Sequence, residues 1–194
     1  MFTLESRAEK LTALLLAVLM AATRVHHFGV GAIAPDASTA VYFLAGLALA
    51  SPWWLLAFLA EAVLLDVFAI GVAGVADACI SGGYVLLAPA YGALWLAGRT
   101  MRKSELRKSE RLDWLTAGKF VCAITGGVAA FFVISNIGYF FGSEFYALGV
   151  PEYTRRVSRY FFYFEMVTLL YAAAGIGALV LAARLSGREK LAAR

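Results

Sequence analysis

The stretch from Trp53 to Ala73 constrains the fold most, because it contains only two charged side chains in 21 residues. A hydrocarbon core of about 30 Å needs about 20 residues of helix, so this stretch is long enough to cross a bilayer. Of the whole chain, 62% is hydrophobic and only 15% is charged, whereas soluble domains are about one quarter charged. The sequence therefore predicts an all-α membrane protein with a single transmembrane domain over residues 1–194.

Six apolar runs in the chain predict six transmembrane helices. The first run continues past Arg24 into further apolar residues, so we interpret it as a retained membrane helix and not as a signal peptide. The second run is short and joins the third at Ser51-Pro52, where proline suits the start of a helix. The predicted helices cover residues 10–28, 37–51, 53–73, 78–98, 115–140 and 157–184.

The basic residues predict how these helices are oriented. Of the 17 Lys and Arg residues, 13 lie in three segments, 1–10, 99–119 and 184–194. Six spans would place all three segments on one side of the membrane, and the positive-inside rule makes that side cytoplasmic. Both termini are therefore predicted to be cytoplasmic. The net charge of +4 does not suggest nucleic-acid binding, because the clustered basic residues are better interpreted as a topology signal.

Chemically unusual side chains lie mostly on the opposite, outward side. They occur in or beside the three predicted outward connections, 24–38, 70–80 and 138–158. Polar groups in a membrane bundle are energetically costly and usually mark a functional site, so we expect a site open to the outside. These side chains are His26, His27, Asp36, Asp66, Asp77, Cys79, Tyr84, Arg155, Arg156 and Arg159.

The first outward connection contains two adjacent histidines, His26 and His27. Adjacent residues point in different directions on a helix, so the pair lacks the spacing of a shared metal site. Either histidine alone can ligate a metal, hydrogen-bond a ligand, or be satisfied by water or backbone. Further along, Asp36 and Ser38 fit the start of the second helix, and capping is the favoured role for Asp36.

Asp66 lies in the outward part of the third predicted helix, where a buried carboxylate needs a partner or a proton. Arg24, Arg155, Arg156 or a histidine can supply that partner. Two interpretations stay open: Asp66 belongs to a binding site, or it forms an internal ion pair that holds the bundle together. Glu165 in the sixth predicted helix presents the same choice.

The segment VADACISGGY combines a thiol, two glycines and an aromatic ring. Cys79 is expected at the start of the fourth helix, where the helix N-terminus favours the nucleophilic, metal-binding thiolate. Asp77 opposes this effect unless it caps the helix. Gly82 and Gly83 follow one turn later on the same face, so a large flat ligand could approach the backbone there. Tyr84 adds an aromatic surface with a polar tip.

The first helix carries a stripe of small residues, Ala13, Ala17 and Ala21. Small residues at every fourth position let another helix approach closely. The stripe predicts either packing within the bundle or docking to a separate membrane partner.

These features together resemble a known group of membrane transporters. Six short helices with both ends inside, a pocket formed by outward connections, and the alanine stripe are similar to S-components of energy-coupling-factor (ECF) vitamin transporters. The motifs HHFG and PDAST, with the outward cysteine in ADACISGGY, resemble the BtuM group of bacterial vitamin B12 transporters. The topological resemblance extends over nearly the whole chain, and the specific motifs cover a small part of it.

The resemblance implies a multi-pass protein of the bacterial inner membrane that binds cobalamin (vitamin B12) on its outer face and mediates its uptake. It implies that the Cys79 thiolate coordinates the corrin cobalt and removes cyanide from cyanocobalamin, since thiolates are soft donors. The implied partners, besides the bilayer, are an ECF coupling subunit, which would meet the alanine stripe, and its ATPases. The predicted ligand-binding residues are His27, Asp66, Cys79, Gly82, Gly83, Tyr84 and Arg155.

Two other functions stay open at this point. An S-component for another vitamin would keep the fold and use Cys79 as a small packing residue. A membrane enzyme acting on a lipid or quinone would use His27 and Asp66 as acid and base, although motifs such as HExxH and GxSxG are absent from the sequence. A free metal ion is not expected, because nickel and cobalt S-components hold the ion with an N-terminal Met-His, and residue 2 here is Phe.

Overall fold

The computed structural model describes residues 7–24, 34–72, 83–102 and 114–192. Every regular element in these ranges is helical, as the apolar runs predict. The α-helices are α1 (Arg7–Arg24), α2 (Ser38–Ala48), α3 (Trp53–Gly71), α4 (Leu87–Met101), α5 (Trp114–Gly142), α6 (Val150–Val157) and α7 (Phe161–Ala192). Short 3-10 turns cover Tyr84–Leu86, Glu144–Leu148 and Ser158–Tyr160.

Within the described ranges, three helical stretches are long and apolar enough to cross a membrane: α3, α5 and the stretch Val150–Ala182, which contains α6 and most of α7. Large hydrophobic side chains on these helices are exposed, among them Leu64 at 69% and Leu170 at 66%. Side chains of this kind are compatible with contact to lipid, where their exposure carries no hydrophobic cost. The chain is therefore all-helical in its described part and has the character of a membrane protein.

The described elements differ from the predicted helices at two of the connections that the sequence predicts to face outward. The fourth predicted helix, 78–98, begins in the described region with a 3-10 turn at Tyr84, and its α-helical part starts only at Leu87. The third predicted connection, 138–158, contains the separate helix α6. Gly149 has a φ of 73°, which is accessible to glycine, and Pro151 stands at the first turn of α6, so the chain breaks and restarts here.

The short helix α2 occupies the centre of the bundle. Each of its residues from Ser38 to Leu47 is buried, and it packs most extensively against α4. Two glycines allow this contact: a Cβ atom on Gly46 would lie 2.0 Å from the Trp95 carbonyl oxygen, and one on Gly98 would lie 2.0 Å from that of Phe43. Glycine at both positions therefore lets the two backbones touch.

The two ends of the bundle are built differently. At one end the join between α2 and α3 is held by side chains from neighbouring helices: Arg99 donates to the Leu49 carbonyl oxygen at 2.8 Å, and Glu9 accepts from the Ala50 amide. At the other end α1, α3 and α5 finish and α2, α4 and α7 begin. The helix termini surround a cavity there, and we call this the cavity end.

Candidate ligand-binding cavity

A cavity of about 470 Å³ opens between the helix termini at the cavity end. This volume lies within the range of about 300–1,000 Å³ that is usual for ligand pockets. Charged residues from α1, the start of α2 and α3 lie on one side. Aromatic rings form most of the rest of the wall; they are Tyr84, Tyr91, Phe131, Phe132, Tyr139, Tyr160 and Phe164.

A buried ion pair between Arg24 and Asp66 forms the charged side of the cavity. Arg24 is the last residue of α1 and is 5% exposed, and Asp66 on α3 is 2% exposed. The Arg24 Nε and Nη2 atoms donate to the two Asp66 carboxylate oxygens, Oδ1 and Oδ2, both at 2.7 Å. Two parallel charge-assisted bonds of this kind are strong and fix the orientation of both side chains.

The remaining Arg24 nitrogen connects the ion pair to two further helices. Nη1 donates to the Ser38 hydroxyl on α2 at 3.0 Å and to the Tyr91 hydroxyl on α4 at 2.8 Å. One guanidinium group thus joins side chains from α2, α3 and α4. A charge at this depth is tolerated because nearly all of its donors are satisfied.

Asp36 completes the charged side of the cavity and also bonds to the first residue of α2. Its Oδ1 atom accepts from the Ser38 amide at 2.8 Å and from the Ser38 hydroxyl at 2.6 Å. Its Oδ2 atom lies 4.0 Å from Arg24 Nη1, and the Asp36 side chain is 15% exposed. The N-cap of α2 is Ala37, which has no side-chain cap bond, so Asp36 does not occupy the position predicted for it. Asp36 lies one residue earlier, accepts from the first amide of α2, and lines the cavity.

Tyr84 connects the start of the α4 region to the ion pair. Its hydroxyl donates to Asp66 Oδ2 at 2.5 Å. Asp66 therefore accepts three hydrogen bonds, two from Arg24 and one from Tyr84. We call the set Arg24, Asp36, Ser38, Asp66, Tyr84 and Tyr91 the polar cluster.

Gly83 lies in a turn just before the 3-10 segment and faces another glycine. A Cβ atom on Gly83 would lie 1.8 Å from the Gly138 carbonyl oxygen on α5. Gly83 also lines the cavity, but its lack of a side chain is already required by this contact with α5. It lies in a turn, and not on the α-helical face that the sequence predicts.

The α5 side of the cavity contributes polar groups that bond to protein atoms. The Asn136 amide nitrogen donates to the Phe132 carbonyl oxygen at 2.8 Å, and its Oδ1 atom accepts from Tyr153 of α6 at 2.9 Å. The Ser135 hydroxyl donates to the same Phe132 carbonyl at 3.2 Å. The α6 helix is thereby attached to the cavity wall through Tyr153.

Of the predicted ligand-binding residues, Asp66, Gly83 and Tyr84 line the cavity. Arg155 does not line it: this residue lies on α6, its side chain is 75% exposed, and its Nε atom bonds to Glu152 at 2.9 Å. The other predicted residues, His27, Cys79 and Gly82, lie outside the described ranges, so their contribution stays a prediction.

The predicted alanine stripe on α1 faces largely into the bundle. Ala13 is 2% exposed and belongs to the hydrophobic core, and Ala17 packs against that core. Ala21 is partly buried. The structure thus gives the stripe an internal packing contact at Ala13 and Ala17, and docking of a partner to the stripe stays a prediction.

Glu165, the other buried carboxylate considered in the sequence, is not among the residues that line the cavity. It is 8% exposed on α7, and its Oε1 atom accepts from the Thr125 hydroxyl at 2.6 Å. Its Oε2 atom has no hydrogen-bond partner among the described residues. No group of three or more His, Cys, Asp or Glu side chains suited to a metal ion occurs in the described part of the chain.

Sequence reasoning identifies some cavity residues and misses others. Sequence reasoning considers Arg24 only as one of several partners for Asp66. A lone cation after a long apolar run is a feature that marks Arg24 as a candidate site residue. Tyr91, Asn136 and the phenylalanines of α5 were missed. Aromatic residues make up 14% of the chain, so no pattern distinguishes those that line a cavity from those that face lipid.

Comparison with protein-family models and with curated proteins finds no match to this chain. The cavity, the polar cluster and the sequence motifs are therefore the features from which a function can be inferred.

Proposed function

We propose that this protein binds cobalamin at the cavity end and mediates its uptake across the bacterial inner membrane. The observation that carries the proposal is the aromatic cavity with the hydrogen-bonded group of Arg24, Asp66 and Tyr84. Two of these residues, Asp66 and Tyr84, are predicted ligand-binding residues. Mostly apolar walls with a few oriented polar groups are typical of sites for organic ligands. Cobalamin is larger than the cavity, so only part of it would enter.

The position of Cys79 in the chain supports contact with the same ligand. Cys79 precedes Gly83 by four residues, and Gly83 lines the cavity. Four residues of extended chain reach at most about 14 Å, so the covalent structure keeps the thiol in the neighbourhood of the cavity. The proposed role of Cys79 is to coordinate the cobalt of the bound corrin.

The chemistry of this step is a ligand substitution without oxidation or reduction. A bond forms between the Cys79 sulfur and Co(III), and the bond between cobalt and cyanide breaks. The thiol proton leaves with the cyanide as HCN, so charge and atoms balance. A soft thiolate is a suitable ligand for the metal, which arrives as part of the transported molecule.

The proposal includes a topology of six spans with both termini in the cytoplasm. It is supported by the clustering of basic residues in 1–10, 99–119 and 184–194, and by the alternating chain direction of the helices that meet at the cavity end. This topology would open the cavity to the outside. An ECF coupling subunit and ATPases belong to the proposal as partners for uptake.

The absorbance spectrum of cyanocobalamin tests the proposal directly. Purified protein in detergent is mixed with cyanocobalamin, and the visible bands of the corrin are recorded after removal of free ligand. We expect the wild type to retain the corrin with shifted bands, because sulfur replaces cyanide on the cobalt. Cys79→Ala should lack this shift and should lose cobalamin-dependent growth in a strain without other B12 uptake.

Cys122→Ala is the matched control, because Cys122 is the other cysteine of the chain and is exposed on α5 away from the cavity. This variant should give the wild-type spectrum. If Cys79→Ala binds cyanocobalamin with the wild-type spectrum and supports uptake, the role of the thiol is wrong. If the wild type retains no corrin, cobalamin is not the ligand, and a thermal-shift screen of other vitamins would identify a replacement.

A further inference from the structure

The sequence contains a single carboxamide side chain, because Asn136 is its one asparagine and it has no glutamine. Asn136 lies in the largely apolar helix α5, and it lines the cavity. Polar groups within a membrane bundle are energetically costly and usually have a function. The hydrogen bonds of this amide group indicate what that function is.

The orientation of the Asn136 amide group is fixed by its protein partners. The atom 2.8 Å from the Phe132 carbonyl oxygen must be the amide nitrogen, because a carbonyl oxygen can only accept. The Oδ1 atom accepts from the Tyr153 hydroxyl at 2.9 Å. Exchanging nitrogen and oxygen would place two acceptors against each other at Phe132, so the network determines which end is the donor.

One N–H bond of Asn136 remains available to a ligand. An amide nitrogen carries two hydrogens, and the bond to the Phe132 carbonyl uses one of them. Asn136 Nδ2 has no second acceptor among the described residues. The neighbouring Ser135 also lines the cavity and donates to the same carbonyl at 3.2 Å, but its hydroxyl has only that one proton.

Asn136 differs in rigidity from the hydroxyl donors of the cavity wall, which belong to Tyr91, Tyr139 and Tyr160 among others. The hydrogen of a hydroxyl can rotate, whereas the amide group is planar and Asn136 is held at both of its ends. A donor whose direction is already set loses less conformational freedom when a ligand binds. Asn136 is therefore suited to fix the orientation of a ligand.

Tyr153 holds the amide group from outside the cavity. It lies on α6, is 6% exposed and does not line the cavity. Its hydroxyl lies 3.1 Å from the Asn136 backbone carbonyl oxygen, and this contact attaches α6 to α5 whatever the side chain at position 136. The contact with Oδ1 is additional, and it holds the amide group in the orientation that leaves one N–H unused.

We propose that Asn136 donates its remaining N–H to a neutral oxygen acceptor of the ligand, the carbonyl oxygen of a carboxamide, and that Tyr153 is the positioning residue for this bond. A charged oxygen would need a cation here, and Arg24, the cation of the described lining, is paired with Asp66. The inference rests on the proposed function in assuming that the ligand enters this cavity. Cobalamin meets the requirement, because its corrin rim carries carboxamides.

Dissociation constants of cyanocobalamin for purified variants test the role of Asn136. Asn136→Leu removes the donor at similar volume and should bind about tenfold more weakly than wild type, which corresponds to about 1.4 kcal/mol. Ser135→Ala is the matched control and should bind as tightly as wild type, because the proton that it removes is committed to Phe132. If Asn136→Leu is not recovered folded, Asn136→Ser replaces it, since a helical serine donates its one proton to the carbonyl four residues earlier.

A double-mutant cycle tests the positioning role of Tyr153. Tyr153→Phe should weaken binding about threefold in the wild-type background, because one hydrogen bond to the amide group is lost. Added to Asn136→Leu, it should weaken binding no further, since Tyr153 acts through the amide group. Equal weakening in both backgrounds would show that Tyr153 only supports the cavity wall, and would overturn the positioning role.

Dicyanocobinamide identifies the acceptor, because it keeps the rim carboxamides of cobalamin and lacks the nucleotide tail. Asn136→Leu should weaken the binding of both ligands by a similar factor. Weakening for cyanocobalamin alone would place the acceptor on the tail and overturn the assignment to a carboxamide. A wild type that binds cyanocobalamin but not dicyanocobinamide would also count against that assignment.

Two further results would overturn the inference while leaving the proposed function intact. One is that the Asn136 variants bind cyanocobalamin as tightly as wild type. The other is that Ser135→Ala weakens binding as much as they do. A wild type that retains no cyanocobalamin contradicts the proposed function, and this inference with it.

Discussion

Arg24 shows how one residue determines the chemistry of the cavity. It is the last residue of α1, yet its guanidinium group bonds to side chains of α2, α3 and α4. Without Arg24 the Asp66 carboxylate would be buried with Tyr84 as its remaining partner in the polar cluster. Removing one partner of a buried ion pair costs about 3–5 kcal/mol, because the other charge is left uncompensated.

We therefore predict that Arg24→Met lowers the melting temperature of the purified protein by about 10 °C. This value follows from the expected loss of stability and the usual shift in melting temperature per kcal/mol for chains of this size. The double variant Arg24→Met/Asp66→Asn should recover part of the loss, because the asparagine side chain is neutral and can still accept from Tyr84. Scanning fluorimetry in detergent measures both. A single variant as stable as wild type would show that the ion pair contributes nothing to folding.

At the scale of elements, the contact between α2 and α4 depends on the absence of two side chains. Gly46 and Gly98 each face a backbone carbonyl oxygen of the other helix at a distance that no Cβ atom tolerates. The neighbours in the way are backbone atoms, which cannot rotate aside. The two helices must separate to accept even a methyl group. The helix α2 is the one that carries Ser38, with its hydrogen-bond partner Asp36, to the cavity.

Gly46→Ala should therefore destabilise the bundle by about 1–3 kcal/mol or more, the usual cost of overpacking a core. Gly92→Ala is the control on α4, because a Cβ atom there meets nothing within 4 Å. Alanine also favours helix over glycine by about 1 kcal/mol, so Gly92→Ala should be neutral or stabilising. Equal yields and melting temperatures for the two variants would contradict the close contact.

At the scale of the whole molecule, the two ends of the bundle differ in chemistry. The cavity end carries the polar cluster, and the opposite end carries Arg99 and Glu9 at the join of α2 and α3. The helix α4 ends at Met101 near that join, and basic residues follow it in the sequence. If the proposed orientation holds, the cavity end faces outward.

Thiol labelling of intact cells tests this orientation. In a background of Cys79→Ser and Cys122→Ser, Glu144→Cys marks the cavity end and Ser104→Cys marks the basic connector. A membrane-impermeant maleimide should label Glu144→Cys in intact cells and Ser104→Cys only after permeabilisation. The reverse pattern would place the cavity on the cytoplasmic side, and labelling of both sites in intact cells would contradict a single crossing by α5 between them.

Several features of the fold and the site could be predicted from the sequence. Long apolar runs with few charges predict helices, because the backbone N–H and C=O groups of a segment in lipid must form their hydrogen bonds within that segment. The scarcity of charge makes Asp66 conspicuous, and VADACISGGY draws attention to Tyr84; both lie at the cavity. Gly149 and Pro151 are also visible in the sequence as residues that interrupt or start a helix. The sequence nevertheless did not predict α6, because a helix of eight residues is too short to show a clear hydrophobic period.

The sequence alone determined that the chain is helical, apolar and of membrane-protein character, because these properties are set locally by residue type and run length. Only the tertiary structure decided that Arg24 is the partner of Asp66, since several cations were available and distance in space selects among them. It also decided that Gly83 packs against Gly138, and that Ala13 faces the core. Such contacts join residues far apart in the chain, and no local pattern encodes which of them meet.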